Sequence, residues 1–215
     1  MLKIAHRGAG MEVTENSLAA FLLAIKMGVE MVELDVQVTK DGELVVIHDP
    51  WVDRVTNGRG NVRDFTLAEL QKFKTAEGES LPTLEQVYDL CRGKVQVLTE
   101  IKTVEIGEKI AALIARKKNS DEVIVQSFLH GELLRFRDYD KSTRTAALFD
   151  ELLFDVPTLV KYTRSLGCNG VVMPLKSLRG DLIAAMHDAG FFVYCWGGEA
   201  EGAAAMALDG YIGSF

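Results

Sequence analysis

Cysteine and proline are scarce in this chain of 215 residues, at three and four. Cys91, Cys168 and Cys195 are far apart, each in or beside an apolar segment, and no Cys-x-x-Cys pair occurs. That excludes a disulfide framework and a zinc ribbon and leaves the three as core fillers. The prolines and the 19 glycines follow no short period, so collagen-like and Pro/Gly-rich disordered chains are excluded. No apolar run approaches the ~18 residues of a membrane span, the longest covering only 18–25. Stable membrane insertion is not expected. The N-terminus is strand-like from the start, without an apolar h-region or a small-residue cleavage site, so the cytoplasm is the expected location. Basic charge is in deficit, 24 Lys and Arg against 31 Asp and Glu for a net −7, which disfavours a nucleic-acid partner.

What the chain has is core-forming material, 48% apolar residues, in a length that lets one domain bury roughly 70% of its unfolded surface. Short apolar segments alternate with amphipathic ones throughout, the pattern of repeated βα units. Eight strands are predicted, at 3–5, 31–39, 95–102, 123–126, 144–149, 170–173, 191–196 and 211–213. Seven helices are predicted between them, at 17–27, 84–91, 105–118, 131–137, 156–165, 178–189 and 200–208. Gly28, Gly167 and Gly190 follow last turns, and Asn16 and Asp155 are candidate first-turn caps. The pattern predicts an α/β fold, a single TIM (β/α)8 barrel over 1–215 that lacks its last helix. A second copy of the chain would be one way to cover that face, as a homo-oligomer. An open doubly wound sheet is disfavoured because no Gly-rich phosphate loop follows the first strand.

Residues 50–82 break the alternation with turn signals at Asn57-Gly58, Arg59-Gly60 and Gly78. They read as an insertion between strand two and its helix, lying over the C-terminal face where barrel active sites are built, and as a candidate lid. One helical candidate, 67–73, follows a capping-box pattern at Thr66-x-x-Glu69.

In the segment 31–39, Val32, Leu34, Val36 and Val38 share one face and Glu33, Asp35 and Gln37 the other. Helices cover the outside of a barrel, so the aliphatic set faces out and the two carboxylates point in. There they need a cation, protons or basic partners. The turn at Thr39-Lys-Asp-Gly42 folds the chain back so that His48 is expected opposite Asp35. Glu100 and Lys102 reach the same end by alternation along the third strand, and His6 and Arg7 lie just past the end of the first. Three carboxylates without a cysteine favour one divalent hard cation, Mg²⁺ or Ca²⁺, over Zn²⁺. Arg7 and Lys102 offer positive charge to an anionic substrate, and two histidines form a general acid and base pair. Together these describe metal-assisted phosphoryl chemistry.

These residues also carry a resemblance. His6-Arg-Gly8, Glu15-Asn-Ser17, Glu33-Leu-Asp35, Thr39-Lys-Asp-Gly42, His48-Asp49, Arg54-x-Thr56-Asn-Gly58, Pro82-Thr-Leu-Glu85 and Glu100-Ile-Lys102 follow the order and spacing of the glycerophosphodiester phosphodiesterases. Gln126-Ser-Phe128 and the segment from Gly190 to Trp196 also resemble that family. The resemblance spans nearly the whole chain. It implies a TIM barrel that hydrolyses a glycerophosphodiester to sn-glycerol 3-phosphate and an alcohol. It implies metal ligation by Glu33, Asp35 and Glu100, acid–base catalysis by His6 and His48, phosphate binding by Arg7 and Lys102, and Trp196 on the glycerol side. The family route it implies has the glycerol 2-hydroxyl attack the phosphorus, giving a cyclic phosphate that water opens, a step favoured by proximity. Glu15 and Asp49 are expected to orient the histidines or Arg7.

Three departures stand out. Thr14 replaces the family's proline, Gly197-Gly-Glu199 stands where Thr-Val-Asn is common, and Gly213-Ser-Phe215 where Thr-Asp-Arg-Pro is common. The last two put the substrate end in doubt more than the metal end. Two other readings stay open on the same residues: a lysophospholipase-D-like or lyase activity on lysophospholipids, and a barrel that binds glycerophosphodiesters without cleaving them. The first calls for an exposed apolar rim near the insertion, where Trp51, Phe65 and Phe73 are the aromatics. His130 and His187 read as structural or surface residues, and the Arg116-Lys-Lys118 run as a helix C-terminus.

Overall fold

Segments that alternate aliphatic and polar residues become strands, and the amphipathic stretches between them become the helices that cover the strands. The computed structural model describes residues 1–152 and 154–215. Its barrel strands are β1 (Leu2–Ala5), β2 (Met31–Val38), β4 (Gln96–Ile101), β5 (Val123–Ser127), β6 (Arg144–Leu148), β7 (Gly170–Pro174), β8 (Phe192–Trp196) and β9 (Gly210–Gly213). A ninth, β3 (Leu44–Val46), is the return arm of a hairpin on β2. Pairing runs β1-β9-β8-β7-β6-β5-β4-β2, and β1 also pairs with β2, so eight parallel strands close into the expected barrel. The helices are α1 (Leu18–Lys26), α2 (Leu67–Leu70), α3 (Leu84–Cys91), α4 (Gly107–Lys117), α5 (His130–Tyr139), α6 (Val156–Ser165), α7 (Gly180–Asp188) and α8 (Ala200–Ala204). Among the described residues none follows β9.

The alternation sorts the side chains as anticipated. Ile4, Met31, Leu98, Ile124, Leu148, Val172, Tyr194 and Ile212 fill the barrel interior. Val32, Leu34, Val36 and their counterparts pack outward against the helices, with Cys91, Cys168 and Cys195 buried in that layer as free thiols. Beyond that plug, at the C-terminal strand ends, inward positions are open to polar side chains, with Phe128 and Trp196 packing on the plug from the rim.

The insertion packs Val52, Val62, Leu70 and Leu81 on Val45 of β3 and Ile47 just after it, forming a small separate core. The Thr66–Glu69 capping box forms, although the helix it opens stops at Leu70. A 3₁₀ turn at Val62–Asp64 precedes it. Thr14 ties the insertion to the β1–α1 loop, donating its hydroxyl to Glu77 at 2.6 Å and its backbone N–H at 3.0 Å. Proline could not make the second bond, so the departure at Thr14 exchanges loop stiffness for an anchor.

Two caps differ in kind. Ser17, not Asn16, caps α1, accepting from the Ala20 N–H at 3.0 Å. Helix α4 has no side-chain cap of its own. Instead the buried Glu132 carboxylate of α5 accepts from the backbone N–H groups of Glu105, Ile106 and Gly107, at 2.9, 3.1 and 2.9 Å. It satisfies three donors at the positive end of the helix dipole and fixes the loop that follows Lys102. Glu132→Ala strands those donors and is expected to lower the unfolding free energy by about 3 kcal/mol, read by urea denaturation. A loss below about 1 kcal/mol would mean that water replaces the carboxylate there.

Candidate active site

β1 delivers His6 and Arg7 to the rim and then turns sharply. Arg7 has φ 57° and Gly8 φ 76°. Gly8 also lies so close to α1 that a Cβ would sit 2.8 Å from the Ala20 carbonyl carbon, so both conformation and space require glycine. Holding a non-glycine residue such as Arg7 in the left-handed region costs energy that its contacts must offset. Its backbone N–H donates to Glu33 Oε2 at 3.1 Å, its Nη1 to Glu15 Oε1 at 3.0 Å, and its Nε lies 3.3 Å from Asp35 Oδ2. The last is an ion-pair distance without hydrogen-bond alignment.

Glu33, Asp35 and Glu100 point inward as the alternation requires, exposed by only 2%, 1% and 7%. Each offers an oxygen within 4.8 Å of the others. Burial, then repulsion from Asp35 and Glu100, raises the Glu33 carboxyl well above the usual range. Burial and Asp35 push Glu100 up to about 7 even though Lys102 opposes them. Lys102 is itself raised: burial works against its charge, but Glu100 and Asp35 outweigh it. Three buried carboxylates against two cations thus leave the cluster short of positive charge. A compact, all-oxygen donor set in that condition fits a hard divalent cation.

His48 reaches the same place by a different route from the one expected. The hairpin register is one residue off: Val36 pairs with Val46, and Ile47, not His48, bonds beside Asp35, its N–H on the Asp35 carbonyl at 2.9 Å. β3 ends at Val46, so alternation no longer governs His48, and the bend after it swings the ring over the site, its carbonyl held by Gln37 Nε2 at 3.2 Å. His48 Nδ1 lies 2.6 Å from Asp49 Oδ1 and Nε2 lies 3.3 Å from Lys102 Nζ. Asp49 Oδ2 accepts from Arg54 Nε at 2.6 Å, and Arg54 Nη2 donates to Glu15 Oε1 at 2.7 Å. Lys102 Nζ donates to Glu100 at 2.8 Å and lies 3.7 Å from Asp35. A closed polar ring therefore runs His48–Asp49–Arg54–Glu15–Arg7–Asp35–Lys102 and back to His48. Arg54 and His48 hold Asp49 down at about 2. His6, with its Nε2 4.0 Å from Glu33, is lowered to about 4 by partial burial and by Arg7, although 42% of its side chain meets solvent.

Glu15 stands beside Arg7 and Asp49 beside His48. Asn16, a candidate cap by sequence, does not cap α1. With φ 57° and almost no exposure, it donates from Nδ2 to Asp35 Oδ2 at 2.9 Å. A polar residue flanked by Glu15 and Ser17 looks like a helix start, which hid this role. Gln126 also faces inward, by alternation from Ile124, and lines the site. A cavity of about 520 Å³ runs from His6, Arg7, Glu33, His48, Glu100 and Lys102 past Gln126 and Phe128 to Asp150 and Trp196. Gly197 and Gly198 line it without side chains, the latter bonded through its carbonyl to the Tyr211 hydroxyl at 3.0 Å. His130 is structural, bonded to Tyr162 and to the Leu148 carbonyl.

The chain is thus a closed (β/α)8 barrel that carries an acidic trio, two histidines and two cations at its C-terminal rim. More narrowly, the chain belongs to the glycerophosphoryl diester phosphodiesterase family, whose pattern it matches over residues 6–210. It is 45% identical over 145 residues to a glycerophosphodiester phosphodiesterase of Caldanaerobacter subterraneus subsp. tengcongensis. That match covers 61% of this chain and spans 60% of the relative's length. Among solved structures, a glycerophosphodiester phosphodiesterase from Agrobacterium tumefaciens superposes with a TM-score of 0.88 at 24% identity, covering 100% of this chain and 96% of that one. An Oleispira antarctica phosphodiesterase, solved in complex with the product sn-glycerol-3-phosphate, gives 0.86 at 21% identity, covering 99% and 92%. Both show the same fold.

Proposed function

We propose that the chain hydrolyses glycerophosphodiesters to sn-glycerol 3-phosphate and an alcohol. The observation that carries this reading is the juxtaposition of an Asp49-backed His48, a neutral His6 and the cations Arg7 and Lys102 around three buried carboxylates. Family membership supports it, and so does the product bound by the Oleispira relative. Glu33, Asp35 and Glu100 would hold a divalent cation, which polarises a phosphoryl oxygen and favours ionisation of a nearby hydroxyl. Arg7 and Lys102 bind and orient the phosphate charge.

His6, lowered to about 4, is neutral at physiological pH and takes the proton of the attacking hydroxyl, the glycerol 2-hydroxyl on the family route. As that oxygen bonds to phosphorus, the bond from phosphorus to the leaving oxygen breaks. His48, its ring held through Nδ1 by Asp49 across 2.6 Å, gives a proton to the leaving alkoxide. Water then opens the cyclic phosphate with the two roles reversed. Trp196, which lines the cavity, would meet the glycerol side of the substrate.

The lysophospholipid reading asks for an apolar rim on the insertion. Phe65 and Phe73 instead pack edge to face at 5.1 Å, leaving Trp51, 55% exposed, as the insertion's open aromatic among the described residues. The test is release of glycerol 3-phosphate from glycerophosphocholine, glycerophosphoethanolamine and glycerophosphoglycerol with Mg²⁺ or Ca²⁺. Turnover of at least one is expected. No cleavage of any of them with either ion would sink the reading.

A further inference from the structure

Four buried side-chain atoms have no hydrogen-bond partner among the described residues: Arg7 Nε, Asn119 Oδ1, Gln126 Oε1 and Trp196 Nε1. Three of their residues line the active-site cavity. Arg7 and Trp196 present donors there, so Gln126 Oε1 is the acceptor left without a partner. Buried carbonyl oxygens are almost always satisfied, and this one belongs to a side chain only 1% exposed. An unpaired acceptor in that position marks a group that the site is built to meet.

Its surroundings say which group. Gln126 is the register partner of Glu100 across β4 and β5. Its Nε2 lies 3.5 Å from Glu33 Oε1, at the outer limit of a hydrogen bond. The carboxamide therefore touches one carboxylate of the trio and neighbours another. Oxygen and nitrogen of a carboxamide have nearly the same shape, and half a turn about the terminal side-chain bond exchanges them. Facing Glu33 with oxygen is repulsive unless positive charge lies between the two. Hard cations accept carboxamide oxygens beside carboxylates. A neutral donor also adds ligation without a fourth negative charge in a cluster where Glu33 and Glu100 already repel.

We propose that Gln126 supplies, through Oε1, a fourth protein oxygen to the cation held by Glu33, Asp35 and Glu100, its carboxamide turning from Glu33 to the cation on binding. This rests on the metal assignment made under Proposed function. The competing role is a purely positioning one, with the amide N–H holding Glu33 in place.

Isothermal titration of the chelator-stripped protein with MgCl₂ and with CaCl₂ at pH 8 separates the two roles. Gln126→Leu removes both the oxygen and the amide and is expected to weaken cation binding ~10- to 100-fold. Its thermal midpoint without metal should change little, because the loss of one long amide contact to Glu33 is offset by removal of a buried acceptor without a partner. Gln126→Glu keeps an oxygen but removes the N–H. It should bind the cation at least as tightly as wild type if Oε1 is a ligand, and as weakly as the leucine variant if only the N–H matters. Unchanged affinity in Gln126→Leu, or equal weakening in both variants, would overturn the proposal. Should the leucine variant not fold, Gln126→Met is read in its place. Failure of the unsubstituted protein to bind either ion would overturn the metal assignment itself, and the proposal with it.

Discussion

His48→Ala is expected to lower kcat/KM for glycerophosphocholine about 10³-fold, within the range that a positioned general acid contributes. The loss should shrink to about 10-fold on a glycerol diester with a p-nitrophenol leaving group, because that phenolate departs without a proton. His6→Ala should cost about as much on both substrates, since the attacking hydroxyl must lose its proton whatever leaves. The contrast follows from what each ring touches. His48 is held by Asp49 at 2.6 Å, which orients its ring, whereas partial burial and Arg7 keep His6 unprotonated. Steady-state kinetics on the two substrates decide it. If His48→Ala loses the same factor on both, His48 is not the acid; if His6→Ala is the leaving-group-sensitive variant, the two roles are reversed. Restoring the loss with added imidazole would further separate a missing proton donor from a collapsed pocket.

Much of the architecture was legible because a barrel reads out its own period. Val32, Leu34 and Val36 had to face helices, which forced Glu33 and Asp35 inward, and the same parity carried Glu100 and Lys102 to them; the structure shows all four there. Parity fails where a strand stops. His48 lies two residues beyond β3, so its orientation depends on a bend that no alternation encodes, and the hairpin register came out one residue wrong. Asn16 was hidden for a related reason: its left-handed backbone turns the side chain away from α1 and toward Asp35. The polar ring through Arg54 was out of reach as well. It joins β1, β2, the 50–82 insertion and β4, and such closure depends on distances that only the assembled barrel defines. Glu132 shows the limit from the other side, since α4 has no capping residue in its own sequence and borrows one from α5.

Chelation should abolish turnover, and either Mg²⁺ or Ca²⁺ should restore it, while the same treatment exposes a pH-dependent cost in the fold. In the metal-free protein Glu100 is pushed to about 7, above its ordinary value of 4.5. Between those two values the folded state retains a proton that the unfolded chain releases. Stability is then full below about pH 4.5 and falls as pH rises toward 7, by on the order of 3 kcal/mol from this group. Glu33, also raised, adds to the same trend. Glu100→Gln should flatten much of that slope and make the metal-free protein more stable at pH 8 than wild type, yet lower kcat/KM at least about 10²-fold. Cation at about 100 times its Kd should return roughly 2.7 kcal/mol to wild type and markedly less to the glutamine variant. Urea denaturation at pH 5 and pH 8, with and without chelator, gives all four values. His6, lowered from 6.5 to about 4, works the other way over the same range, so the difference between wild type and Glu100→Gln decides: a wild type whose stability in chelator changes from pH 5 to pH 8 as the variant's does would mean that Arg7 and Lys102 already neutralise the trio. In that case the three carboxylates would have no electrostatic need of a metal.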